Sequence, residues 1–162
     1  MGQVKAKTHL ETLGFSESDK KKPKHDLIQT WVYRNVSQVV KETILKDSSE
    51  PFETTYVKWE HEVIYTNGNY KSIIGFVDIH AILRGVFNLP YVTKNEKSTI
   101  DIYIEIKTEI PSLGELIRQL RAYKTYIPNG YYIVVCPDDT HKEILEEQNF
   151  YFYKYQDPTQ LF

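Results

Sequence analysis

Ile100-Asp101-Ile102-Tyr103-Ile104-Glu105-Ile106-Lys107 alternates apolar and polar side chains without a break. That period of two is the signature of a strand with one face buried. The even positions are all isoleucine, suited to a packed sheet face, and the odd positions carry Asp101, Tyr103, Glu105 and Lys107. Just upstream, Gly75-Phe76-Val77-Asp78 closes another apolar run with a second acid. Downstream, a predicted helix carries Gln119 and Tyr123 four residues apart, and so on one face.

Outward from this strand, the pattern predicts a complete α/β order. Thr55–Tyr65 and Tyr70–Leu83 read as strands around Thr66-Asn67-Gly68-Asn69, whose Asn-Gly step is a strong hairpin signal. The third strand spans Thr99–Thr108. A helix follows from Ser112 to Ile127, with Glu115 three residues after Ser112 as a capping box and Pro128-Asn129-Gly130 as its stop. A strand over Tyr131–Cys136, a helix over Asp139–Gln148 and a strand over Phe150–Tyr155 complete the chain. Before the hairpin, Leu27, Ile28, Trp31, Val32, Val36, Val39 and Val40 form the apolar stripe of one helix from Asp26 to Thr43. Residues 1–24 read as a charged N-terminal arm ending in Lys20-Lys21-Lys22-Pro23-Lys24, with a short helix around His9–Leu13. Residues 25–162 read as a single domain. A hairpin-built start followed by strand–helix–strand crossovers implies an α/β (α+β) fold, with a mixed sheet of about five strands flanked by helices on both sides.

Composition narrows the function classes. A hydrophobic fraction of 41% with 26% charged residues is ordinary for a folded globular chain. The net charge of −2 carries no global basic signal, so any nucleic-acid binding has to come from a local patch. Cys136 is the single cysteine, which rules out an internal disulfide or a cysteine metal site; it falls in a buried-strand pattern and reads as a packed thiol. No apolar run reaches membrane-spanning length and the start lacks a signal-peptide core, so a cytoplasmic location and no membrane partner are expected.

The acids and the lysine suit one chemistry. Metal-assisted phosphodiester hydrolysis needs hard oxygen ligands, an aimed water and positive charge near the developing anion. Asp78 and Glu105, on adjacent strands, supply carboxylates for Mg²⁺ or Mn²⁺, and the Ile106 backbone carbonyl is an additional ligand. Lys107 projects on the same side as Glu105 and serves the water or offsets phosphate charge. Arg118, Arg121 and Lys124 on the following helix border this site and are candidates for phosphate contact. His25, at the start of the first helix, either caps it or approaches the site. The acid-x-lysine triplet alone is weak, since Asp19-Lys20-Lys21 repeats it in the charged arm; the strand around Glu105-Ile106-Lys107 and the helix after it make the difference.

Gly75-Phe76-Val77-Asp78, Ile104-Glu105-Ile106-Lys107-Thr108 and Gln119-Leu120-Arg121-Ala122-Tyr123 together resemble the PD-(D/E)xK nuclease superfamily, and the Gln-x-x-x-Tyr helix resembles its RecB-like branch. The resemblance covers roughly residues 60–136 and implies a restriction-endonuclease-like fold. It implies a magnesium-dependent deoxyribonuclease, an endonuclease by expectation, in which Asp78 and Glu105 bind the metal, Lys107 serves the attacking water and Gln119 lies beside the site. Tyr123 joins the nucleic-acid-binding set with Arg118, Arg121 and Lys124. Val77 stands where the family name has proline. The family's further acid has four candidates here, Asp26, Glu42, Glu60 and Glu62, with Glu62 a possible metal ligand. DNA is the expected partner, and a homodimer would let two sites face two strands. The alternative is a domain of the same fold that binds nucleic acid or protein without catalysis.

Overall fold

The computed structural model describes residues 23–90 and 92–157. The expected short helix around His9–Leu13 and the lysines at 20–22 lie outside the described residues. The order is α1 (Pro23–Arg34), α2 (Val36–Glu42), β1 (Phe52–Asn67), β2 (Tyr70–Val86), β3 (Lys97–Ile106), α3 (Leu113–Tyr126), β4 (Tyr131–Cys136), α4 (Lys142–Glu147) and β5 (Tyr151–Lys154). The five strands form one sheet in sequential order, antiparallel from β1 to β3 and parallel from β3 to β5. The mixed α/β architecture expected from the strand pattern is therefore present.

Helices cover both faces. Even-numbered isoleucines of β3 (Ile100, Ile102, Ile104, Ile106) pack with Ile79, Ala81 and Leu83 of β2 under Ile28, Val32, Val36, Val39 and Val40 of α1 and α2. On the opposite face Leu116, Leu120 and Tyr123 of α3 and Leu145 of α4 pack on Val77, Tyr103, Tyr132 and Val134. β4 is buried along its whole length because it lies between both layers, the usual fate of a parallel strand. Cys136 at its end is a buried thiol with no disulfide.

Three boundaries differ from the sequence pattern, each for a local reason. The expected single first helix is broken at Asn35, whose side-chain amide donates to the Trp31 carbonyl at 2.7 Å while its backbone leaves the helical region (φ −128°, ψ 31°). A short amide side chain competes for backbone partners in this way, and the break keeps both halves of the apolar stripe on one core. The first helix also begins earlier, at Pro23, where the missing N–H costs nothing in a first turn. That start puts His25 inside the helix, one turn before Gln29 and on its face. α4 starts three residues later than expected, because Asp138 accepts from the Thr140 backbone N–H (3.0 Å) and hydroxyl, holding a turn there. The Ser112 cap holds as expected, its hydroxyl accepting from the Glu115 N–H at 3.3 Å.

The hairpin turn is centred on Gly68 and Asn69, with only Gly68 left-handed (φ 59°), which matches a type II′ connection. β1 and β2 continue well past the rest of the sheet: β3 pairs with β2 only between Val86 and Ile79. Residues 70–78 of β2 thus pair with β1 alone and form a two-stranded ribbon.

Candidate active site at the fork between two strands

The β2–β3 ladder ends at Ile79 and Ile104, and beyond that pair the strands part. Asp78 and Glu105 are the next residue on each side of the fork. Asp78 takes over where the ladder stops: its Oδ2 accepts a hydrogen bond from the Ile106 backbone N–H at 2.7 Å. A charge-assisted bond of this kind is stronger than the neutral ladder bond it replaces. Asp78 and Glu105 are 5% and 4% exposed, so two carboxylates sit almost wholly inside the protein just past the end of the ladder. Buried carboxylates are expensive unless partners or an ion compensate them. Lys107 follows directly, half-buried, and its N–H still bonds the Val135 carbonyl at 2.9 Å. The extended geometry therefore persists through Lys107 and keeps its side chain on the side of Glu105.

Two helices reach the fork from opposite faces. From α1, His25 Nε2 lies 3.1 Å from the Ile106 carbonyl and 3.5 Å from Asp78 Oδ2. One turn later, Gln29, fully buried, donates from Nε2 to the Asp78 carbonyl at 2.9 Å. From α3, Gln119 Nε2 donates to the Tyr123 hydroxyl at 3.0 Å, which in turn donates to the Phe76 carbonyl at 3.0 Å. This relay ties α3 to β2 two residues before Asp78. It also explains Gly75: a Cβ there would lie 2.5 Å from the Tyr123 hydroxyl and 2.7 Å from its ring. The Gly-Phe-Val-Asp and Gln-x-x-x-Tyr motifs are two halves of one contact. Burial first, then the Glu105 carboxylate and more weakly Asp78, hold the Tyr123 phenol well above its usual pKa, so it stays a protonated donor.

The sequence-predicted residues divide accordingly. Asp78, Glu105 and Ile106 stand on the two strands of the fork with Lys107 directly after, and Gln119 is tied to β2 through Tyr123. Tyr123 is 2% exposed, which corrects the expectation of nucleic-acid contact: it is an internal tie rather than a surface ligand. Arg118 is exposed and folds back towards Gly114 in the first turn of α3, at the fork end. Arg121 and Lys124 lean away from that end, Arg121 donating to the Gln148 side chain and Lys124 lying 5.6 Å over the Phe150 ring. Glu62 is exposed on β1 opposite Phe76, and Glu60, exposed and left-handed (φ 50°), lies across from Asp78. Glu42 bonds Tyr153, whose phenol is pushed up to about 12 by burial and then by that carboxylate. Asp26 is largely exposed, its carboxylate 3.9 Å from His25 Nδ1. From α1, it is His25 and none of those four acids that is found beside the Asp78 carboxylate. Gln29 was not singled out in the sequence; its spacing of four from His25 was the available signal. Asp101 is half-exposed and bonds His80 Nε2 at 2.8 Å, with His80 stacked on Tyr103, its partner one rung before the ladder ends at the fork.

Among the described residues, no group of three or more His, Cys, Asp and Glu side chains is gathered closely enough to hold a metal. The donor set at the fork is instead mixed, with backbone and side chain together. His25 Nε2 donates to the Ile106 carbonyl at 3.1 Å and lies 3.5 Å from Asp78 Oδ2, so in this arrangement the ring orients those two oxygens and does not offer a lone pair of its own. Two buried atoms nearby, Gln29 Oε1 and Thr108 Oγ1, have no hydrogen-bond partner, as polar groups that face a hydrated ion would. The oxygens present, from carboxylates and a backbone carbonyl, are of the hard kind that a hydrated Mg²⁺ or Mn²⁺ takes. No helix among the described residues is long and apolar enough to cross a membrane. Comparison of the chain with protein-family models, with curated proteins and with solved structures gave no match.

Proposed function

We propose that this protein is a metal-dependent nuclease that hydrolyses DNA phosphodiester bonds at the β2–β3 fork. The observation that carries the reading is the pair of buried carboxylates, Asp78 and Glu105, directly after the last rung of the ladder, with Asp78 Oδ2 locked onto the Ile106 N–H and His25 beside it. The Asp78 and Glu105 carboxylates and the Ile106 carbonyl would hold Mg²⁺ or Mn²⁺, with His25 orienting Asp78 and Ile106 from outside; a divalent ion so held would polarise a phosphoryl oxygen and acidify a bound water. The chain's own groups supply the rest. The Lys107 ammonium orients the attacking water and offsets the charge that grows on the phosphate. Gln119, through Tyr123, fixes β2 so that Asp78 keeps its place, and Arg118 is the basic side chain best placed to receive a phosphate from solvent. The order of the three motifs along the chain supports the same reading, with the first joined to the third by the Gly75–Tyr123 contact and to the second by the Asp78–Ile106 bond.

Isothermal calorimetry with Mn²⁺ tests the metal set directly. Saturable binding is expected, weakened about 10–100-fold in Asp78→Asn and in His25→Ala, with chelator-sensitive cleavage of DNA in parallel. Binding unchanged in both variants would remove these residues from the site.

A further inference from the structure

We infer that the β1–β2 ribbon is a duplex-DNA arm, entering a groove of the same double helix whose backbone is cut at the fork. The inference rests on the nuclease reading and assigns its substrate as double-stranded. Four observations carry it. The ribbon springs from Asp78 itself, and residues 70–78 pair only with β1. At a rise of about 3.3 Å per residue its tip stands roughly 26 Å from that carboxylate, further than the width of a duplex groove of about 12 Å. A two-stranded ribbon is of a size that the major groove admits.

The third observation is charge. The chain has 22 acidic residues, yet between Glu62 and Asp78 it has none and one base, Lys71. A polyanion therefore meets no carboxylate on the outer part of the ribbon, beyond Glu62. The fourth is chemistry at the tip: Thr66, Asn67, Asn69 and Lys71 are exposed hydrogen-bonding side chains, and Tyr70 is 73% exposed. Asparagine and lysine are side chains that read base edges, and an exposed tyrosine packs on sugar or base. The rival occupant is a second copy of the chain seated on Ile64 and Ile73, which face each other across the ribbon, partly exposed. Those two make one cross-strand apolar pair, whereas the exposed side chains between it and the turn, at Thr66, Asn67, Asn69 and Lys71, are polar.

The test uses the full chain and a Tyr70→Ala/Lys71→Glu double variant, both positions being exposed. Anisotropy with Ca²⁺ measures binding to a duplex of about 24 base pairs and to one of its strands. Hydrolysis of bis(p-nitrophenyl) phosphate with Mn²⁺ reads the fork without the arm. The variant is expected to lose about tenfold in duplex affinity, with single-strand affinity and diester hydrolysis within about twofold of wild type. If duplex affinity is unchanged, or falls no more than single-strand affinity, the arm is overturned. If the variant shifts a dimer to monomer in sedimentation and leaves duplex binding intact, the ribbon belongs to a second copy and the inference fails. If duplex binding falls as expected while neither protein hydrolyses the diester, the arm stands and the nuclease reading is what fails.

Discussion

Gly75 and Tyr123 show how closely single residues are matched in this protein. The space a methyl group would need at position 75 is filled by the Tyr123 ring and hydroxyl. Gly75→Ala is expected to cost about 1–3 kcal/mol, the usual penalty for overpacking, and Tyr123→Leu to recover part of it in the double variant. Urea unfolding of the four proteins measures that coupling; strict additivity would mean that the two sites do not touch. Tyr123→Phe keeps the ring and removes only the bond to the Phe76 carbonyl, for a loss of about 1 kcal/mol. Neither contact was legible in the sequence, where the two motifs are separated by the whole of β3. The placement of Asp78 and Glu105 on adjacent strands was legible, with Lys107 directly after, because strand periodicity places each side chain without knowledge of its neighbours. His25 was harder to read. Its helix begins three residues earlier than the apolar stripe suggests, and only that start turns it towards Ile106.

Among the elements, those with a strong local code were the ones the sequence revealed. The Asn-Gly hairpin, the Ser112 cap and the fully apolar β4 each follow from short-range rules, and all three are present. Ser112→Ala should cost about 1 kcal/mol by thermal or urea unfolding, since the α3 N-terminus loses its side-chain acceptor. No change would mean that the cap does not hold the helix that positions Gln119. The break at Asn35 could not be read from periodicity, because the hydrophobic stripe continues through it; the deciding term is one side-chain bond to Trp31. The parting of β2 and β3 was equally hidden. Both sequences go on reading as strand through Asp78 and Glu105, and only the Asp78 bond to the Ile106 N–H marks where pairing ends.

At the scale of the molecule, the sheet buries several phenols between its layers. Burial raises Tyr103, Tyr123 and Tyr132 above the ordinary tyrosine range, with help from Asp101, Glu105 and Tyr103 respectively. The sign follows from linkage. The folded state keeps these protons while the unfolded chain loses them above about pH 10, so the stabilisation is complete below that pH and declines as pH rises further. Denaturant midpoints should be flat from pH 7 to 9 as far as the tyrosines are concerned and fall above about pH 10, less steeply in Tyr123→Phe. An identical alkaline slope in that variant would exclude Tyr123 from the effect.

The two layers also deliver the site, with α1 bringing His25 and Gln29 from one face and α3 bringing Gln119 and Tyr123 from the other. Plasmid nicking in Mg²⁺ or Mn²⁺ by the wild type, Glu105→Gln and Lys107→Ala tests that centre most directly. The account predicts chelator-sensitive nicking that falls by about 10²–10⁴-fold in each variant while the far-ultraviolet spectrum is unchanged. Robust nicking by both folded variants, or none by the wild type with either metal, would contradict it.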